Sequence, residues 1–168
     1  MKAALRILFL IPFFFVFKFS LSQESAKIYG IKGTRVIFNF ESIKDIQNGK
    51  TLGSGPSGFT EFDIYYKNPI IGTWELYVKA LSSNLDPDYG ATTLSLSVLK
   101  LYTYLDGVYY NTITLTDADQ LIATATNDYT AGGSHTITIV YECATGGELF
   151  GLNTDIFRTD LNFTLRSQ

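Results

Sequence analysis

The feature that most constrains the fold of this chain is an alternation. In Trp74-Glu75-Leu76-Tyr77-Val78-Lys79-Ala80 every second residue from Trp74 to Ala80 is apolar, and Glu75 and Lys79 stand between them. Side chains of an extended strand point to opposite faces in turn, so the pattern gives one face to a core and the other to water. A helix would scatter the same four residues around its axis. Trp74 is the only tryptophan. An indole can bury up to roughly 250 Å², which makes Trp74, with Leu76 and Val78 behind it, the natural pin of a small core.

The alternation recurs along the chain. Residues 34–40 place Val36, Phe38 and Phe40 on one face and read as an early core strand. Residues 41–47 offer only Ile43 and Ile46, three apart, which allows one helical turn. The run Gly53-Ser54-Gly55-Pro56-Ser57-Gly58 is a loop by composition. Residues 59–66 alternate again, with Phe62, Ile64 and Tyr66 on one side, until Lys67-Asn68-Pro69 ends the run. Residues 82–90, with Asp86-Pro87-Asp88, read as a second polar loop.

From Leu94 the apolar row changes phase between Val98 and Leu99, which predicts a bulge or a strand passing between sheets. Asp106-Gly107 then stands between Tyr102-Thr103-Tyr104-Leu105 and Val108-Tyr109-Tyr110. Asp-Gly between two β-prone runs is a strong hairpin signal, because a type I′ turn needs positive φ at both central residues. Residues 116–120 suggest a capped turn and 121–126 a short strand. A second clean core row, Ile137, Ile139, Tyr141 and Cys143, follows Gly132-Gly133, and Leu161, Phe163 and Leu165 make a closing strand. Together these predict an all-β fold: an antiparallel two-sheet sandwich of about seven to nine strands, with no helix beyond a turn or two.

The amino end reads differently. Lys2 and Arg6 precede an apolar run from Ile7 to Phe17, and Ser20-Leu21-Ser22 supplies small residues for a cut before Gln23. Residues 1–22 are therefore read as a cleaved export signal, and 23–168 as one domain. The apolar run is shorter than the roughly 20 residues that span a bilayer, so the membrane enters only through that signal. Lys2, Arg6 and Lys18 leave with it and no acid does, which takes 13 basic residues to 10 against 16 acidic ones, a formal net charge of −6. Such a balance argues against a nucleic-acid partner, which needs clustered Lys and Arg. The location implied is secreted, periplasmic or cell-surface.

Candidate chemistry is sparse. Cys143 is the only cysteine, so no disulfide closes within the chain, and it reads as a small buried strand residue. His135 is the only histidine, expected at an exposed strand edge. Two such residues cannot make a zinc site of three or four ligands. Asp86 with Asp88, and Asp117 with Asp119, have the spacing of part of a calcium shell, and calcium is the one cofactor they suggest. A hydrolase working through two carboxylates would need acids held at a set separation, which no local motif reveals. Tyr102, Tyr104, Tyr109 and Tyr110 crowd the Asp106-Gly107 hairpin and could form an aromatic platform for sugars or a partner protein.

The Leu-Ser-Gln end of the signal, the Trp74-x-Leu76-x-Val78-x-Ala80 strand, the Gly132-Gly133-x-His135-x-Ile137-x-Ile139-x-Tyr141-x-Cys143 strand and the closing Leu161-x-Phe163-x-Leu165 resemble small secreted sandwich proteins of Gram-negative bacteria, pilin-like or spore-coat-like. The resemblance implies an immunoglobulin-like fold and a role at the cell surface or in an extracellular assembly. Pilins of the chaperone and usher pathway often carry a paired cysteine bridge and a penultimate tyrosine, where this chain has lone Cys143 and ends Arg166-Ser167-Gln168. The stretch 23–33 is read as a first strand, with a donor arm plugged by Ile28 and Ile31 as the other use. The leading expectation is thus a non-enzymatic exported subunit, structural or adhesive, that associates with itself or with a surface protein or glycan. A carbohydrate-binding module built on the tyrosine hairpin is the alternative, and a carboxylate hydrolase the third class.

Overall fold

The computed structural model describes residues 26–52, 58–66, 72–127, 133–149, 151 and 155–167. The expected signal 1–22 lies outside the described residues, as do Lys67-Asn68-Pro69 and all but the last residue of the 53–58 loop. What is described is all β, apart from a six-residue helix α1 (Ile43–Asn48) and a single 3₁₀ turn at Leu96–Val98.

The largest sheet brings together β1 (Lys27–Lys32), β3 (Phe59–Tyr66), β10 (Gly133–Cys143), β7 (Leu99–Leu105) and β8 (Val108–Thr114), in that order. The three-residue β2 (Lys50–Leu52) pairs with the far end of β10. A second sheet has β4 (Gly72–Ala80) between β12 (Leu161–Ser167) and β9 (Gln120–Asn127). Three short pieces, β5 (Asn84–Pro87), β6 (Leu94–Ser95) and β11 (Phe157–Arg158), make a small third sheet. All the ladders are antiparallel. Eight of the described strands have six residues or more, within the range the sequence pattern predicted.

The two main sheets face each other across one core. Trp74, Leu76 and Val78 of β4 are fully buried, and so are Ile137 and Ile139 of β10, with Tyr141 at 4% exposure beside them. Phe62 of β3 meets Phe163 of β12 with ring centroids 5.5 Å apart, which joins the layers directly. Fully burying each such aliphatic or aromatic side chain is worth about 1.5–3 kcal/mol, so the alternating rows supply the drive without a cross-link. The layers also meet along one flank, where the Asn111 side chain of β8 donates to the Leu121 carbonyl of β9 at 3.3 Å.

Three local expectations need correction, and one of two readings at Leu99 is selected. Residues 34–40 form no strand among the described residues. Gly33 has φ +65°, and its carbonyl accepts the Thr60 hydroxyl at 2.8 Å, which turns the chain off β3. Val36, Phe38 and Phe40 still lie half-buried against the core, so the alternation reports burial without a ladder. The 82–90 loop contains β5, whose Leu85 is buried. Of the two readings of the phase change at Leu99, the passage between sheets holds and the bulge does not: the 3₁₀ turn, capped by the Ser95 hydroxyl on Ser97 N–H, carries the chain from β6 in the small sheet to β7 in the large one. Residues 116–120 form no helical turn; the Gln120 amide bridges Thr114 O and Thr116 N there, at 2.8 and 2.9 Å. The single turn expected near Ile43 does form as α1, held by a capping box in which Ser42 accepts from Asp45 N–H and Asp45 accepts from Ser42 N–H.

Candidate functional site

The hairpin forms as expected. Asp106 and Gly107 have φ of +52° and +78°, the two positive angles of a type I′ turn, and β7 and β8 run back from it. Residues paired across an antiparallel ladder share a face. Leu101 and Thr103 of β7 are buried, so Tyr102 and Tyr104 point away from the core. Tyr104 pairs with Tyr109 and their rings meet edge to face at 6.0 Å; the Tyr109 hydroxyl bonds Thr112 at 3.0 Å. Tyr110 does not join them in register. Thr103 pairs with Asn111 and Tyr104 with Tyr109, which leaves Tyr110 as the extra residue of a β-bulge.

The same outer face carries two tyrosines the sequence did not single out. Tyr104 pairs through Thr138 to Glu61, and two residues along β3 from Glu61 lies Asp63, opposite Tyr29 of β1 and Thr136 of β10. Tyr65 is next, beside Lys27 and Ser134. Tyr29 is 67% exposed, Tyr109 56% and Tyr65 40%. Both extra tyrosines occupy the wet positions of alternating strands, a signal visible in the sequence only once strand neighbours are known.

Charges on this face are matched locally. Glu142 accepts from Tyr102 Oη at 2.7 Å, Lys100 Nζ at 2.8 Å and Thr145 Oγ1 at 2.7 Å. Burial alone would raise its pKa, but these donors outweigh it and pull it down to about 2. The same contact, with lesser desolvation, raises the Tyr102 phenol. Lys32 pairs with Glu61 at 2.7 Å.

The opposite outer face, on the β4 sheet, is closed by its own charges. Arg166 lies 4.3 Å over the Tyr77 ring and pairs with Asp119, which also meets Lys79 at 3.6 Å, while Tyr77 donates to Glu75 at 3.0 Å. Asp119 is thus held by two cations. Asp88 is held by Arg158 at 2.5 Å, and Asp86 and Asp117 are exposed. The structure brings neither pair together with further ligands: among the described residues no group of three His, Cys, Asp or Glu is placed to hold a metal ion. Sequence reasoning missed Asp155, whose carboxylate accepts four backbone N–H groups, from Asp88, Tyr89, Gly90 and Ile156, at 2.7–3.2 Å. Burial would raise its pKa, yet those donors lower it. Each carboxylate with a resolved shift, Asp45, Asp106, Glu142 and Asp155, is lowered, the opposite of what a general acid needs.

His135 is not at an exposed edge. It lies on the core-facing row of β10, between β3 and β7, with its ring 5.7 Å from the Trp74 ring and its Nδ1 2.6 Å from Asp106 Oδ2. Asp106 also accepts Thr136 N–H at 2.9 Å, so the turn residue latches the hairpin onto β10. Cys143 ends the same row, buried, and desolvation pushes its thiol up to about 12, far from a reactive thiolate.

Sheet edges are the other exposed feature. Among the described residues β12 pairs with β4 alone. Its inward row, Leu161, Phe163 and Leu165, is only half-buried, although the β4 residues beside it are sealed. Lys27–Lys32 pairs with β3 as an ordinary first strand, with Ile28 half-buried and Ile31 56% exposed. No helix among the described residues is long and apolar enough to cross a membrane.

No protein-family model and no curated protein matches the sequence. Among solved structures the chain is similar to the P pilus rod subunit PapA, at 14% identity and a TM-score of 0.38, over 84% of this chain and 99% of that one.

Proposed function

We propose that the chain is an exported, non-enzymatic subunit of a surface or extracellular assembly, pilin-like in kind, and that copies associate by adding a strand along β12. The observation that carries this reading is the β12 flank: a strand edge with no partner among the described residues lies over three half-buried apolar side chains. An added strand would satisfy the edge N–H and C=O groups and finish the burial of Leu161, Phe163 and Leu165, worth about 1 kcal/mol each. A second copy suits that edge, since β1, at the edge of the large sheet, presents Tyr29 and Ile31 exposed. The carboxylates held by cations and backbone donors, and the sealed thiol, support a role outside catalysis.

Sedimentation and light scattering of residues 23–168 over a range of concentration test the proposal. Oligomers or filaments are expected, and Leu165→Glu or Leu161→Glu, at the two ends of the row, should abolish them; both side chains pack against the core, so the melting point falls, and an unchanged far-ultraviolet spectrum shows that the variants remain folded. A chain that stays monomeric at every concentration, or oligomers that both variants leave intact, would overturn it.

A further inference from the structure

We propose that the outer face of the large sheet is a binding surface for an uncharged polysaccharide, gripped by stacking on Tyr104 and Tyr109 and extended toward Tyr29 and Tyr65. This goes beyond assembly at β12, although β1, which carries Tyr29, is also the strand offered to that edge.

The ring content of the face comes first. From β1 to β8 it spans four strand spacings, roughly 19 Å. Tyrosines stand at both ends, Tyr29 and Tyr65 on β1 and β3, Tyr102, Tyr104 and Tyr109 on β7 and β8. Between them lie the hydroxyls of Thr136 and Thr138 on β10. A sugar ring offers the matching chemistry: an apolar C–H face that lies on the electron-rich face of a phenol, and equatorial hydroxyls that bond to side-chain oxygens beside it.

The charge balance excludes the other partners. On the strands of this face Lys27, Lys32 and Lys100 stand against Glu61, Asp63 and Glu142. Two of these pairs are in contact, Lys32 with Glu61 and Lys100 with Glu142. With no net charge, the face has nothing to hold an anionic polymer, a nucleic acid or a membrane headgroup layer. Nor is it built for a dry protein contact, since Phe59 and Val140 lie on it among tyrosines, threonines and charged side chains. The contrast with the other sheet is direct. There the Tyr77 ring is covered by Arg166 and its hydroxyl is spent on Glu75; here Tyr109 and Tyr29 are more than half exposed.

The test is affinity electrophoresis of residues 23–168 in gels containing soluble β-glucan, mannan, xylan or, as the anionic control, alginate. At least one neutral polysaccharide should retard the protein and alginate should not. Tyr104→Ala with Tyr109→Ala should weaken the retention tenfold or more, and Tyr29→Ala, a change at an exposed edge strand that leaves the hairpin untouched, should weaken it several-fold. Tyr77→Ala should leave it unchanged. No retention by any neutral polysaccharide, retention by alginate alone, or retention unaffected by both the double variant and Tyr29→Ala would overturn the proposal. The Leu165→Glu monomer should bind as the parent does, so a failure here is distinguishable from a failure of strand addition.

Discussion

Two glycines show how differently a single backbone angle can weigh. Gly107 has φ +78° with open space where a Cβ would stand, so Gly107→Ala meets only the left-handed strain of an L residue, about 1 kcal/mol. At Gly33, φ is +65° and a Cβ would fall 1.9 Å from the Phe59 carbonyl oxygen, so Gly33→Ala must also move β3 or the 33–40 segment. Urea unfolding should rank Gly33→Ala well below Gly107→Ala in stability; equal losses would mean the close approach at Phe59 is not kept in solution. Glu142 carries the pH dependence at this scale. Its folded pKa of about 2 lies below its ordinary value of 4.5, so its contribution is complete above about pH 4.5 and is lost as pH falls toward 2. Glu142→Gln should therefore lower the melting point at pH 7 and show a shallower fall than the parent between pH 4.5 and 2. Parallel curves across that window would show that Lys100, Tyr102 and Thr145 do not stabilise the carboxylate.

At the scale of elements, legibility followed the period of two. The β4 row, the β10 row and the Asp106-Gly107 turn were readable because each is specified within ten or so residues, by alternation or by the φ a turn requires. Residues 34–40 were misread for the same reason: alternation reports which side is buried, whereas a strand also needs a neighbour, and the Gly33 turn removes it. The β5 strand was missed because Leu85 alone is buried among polar residues, and its pairing with β6 and β11 is fixed by distant sequence. The candidate face splits along the same line. Tyr102, Tyr104 and Tyr109 are neighbours in sequence and were found together, while Tyr110 was lost to a bulge. Tyr29 and Tyr65 joined them only through the β1-β3-β10-β7 order, and His135 changed from an edge residue to a core-facing, half-buried one when β10 proved to have a partner on each side.

For the whole molecule, the question is whether the sandwich is sealed alike on both flanks. One flank is bridged where β8 meets β9; the other ends at β12, whose inward side chains are only partly buried. Trp74 and Phe163 sample the two situations within hydrogen-bonded neighbouring strands, Trp74 fully buried and Phe163 not. Truncating a sealed aromatic costs about 3–5 kcal/mol in lost transfer energy and cavity, so Trp74→Ala should remove that much of a stability that for a domain this size is only about 5–15 kcal/mol. Phe163→Ala, at a side chain that is only partly buried, should cost less than Trp74→Ala in the monomer. The inequality belongs to the monomer alone. If copies add a strand along β12, Phe163 becomes sealed in the assembly, and its truncation should cost more at high protein concentration than at low, whereas the cost of Trp74→Ala should not depend on concentration. Urea unfolding followed by far-ultraviolet dichroism at two concentrations a hundredfold apart would read both effects. Equal costs for the two variants at the lower concentration would mean that the β12 flank is already closed and that the strand-addition reading has lost its footing.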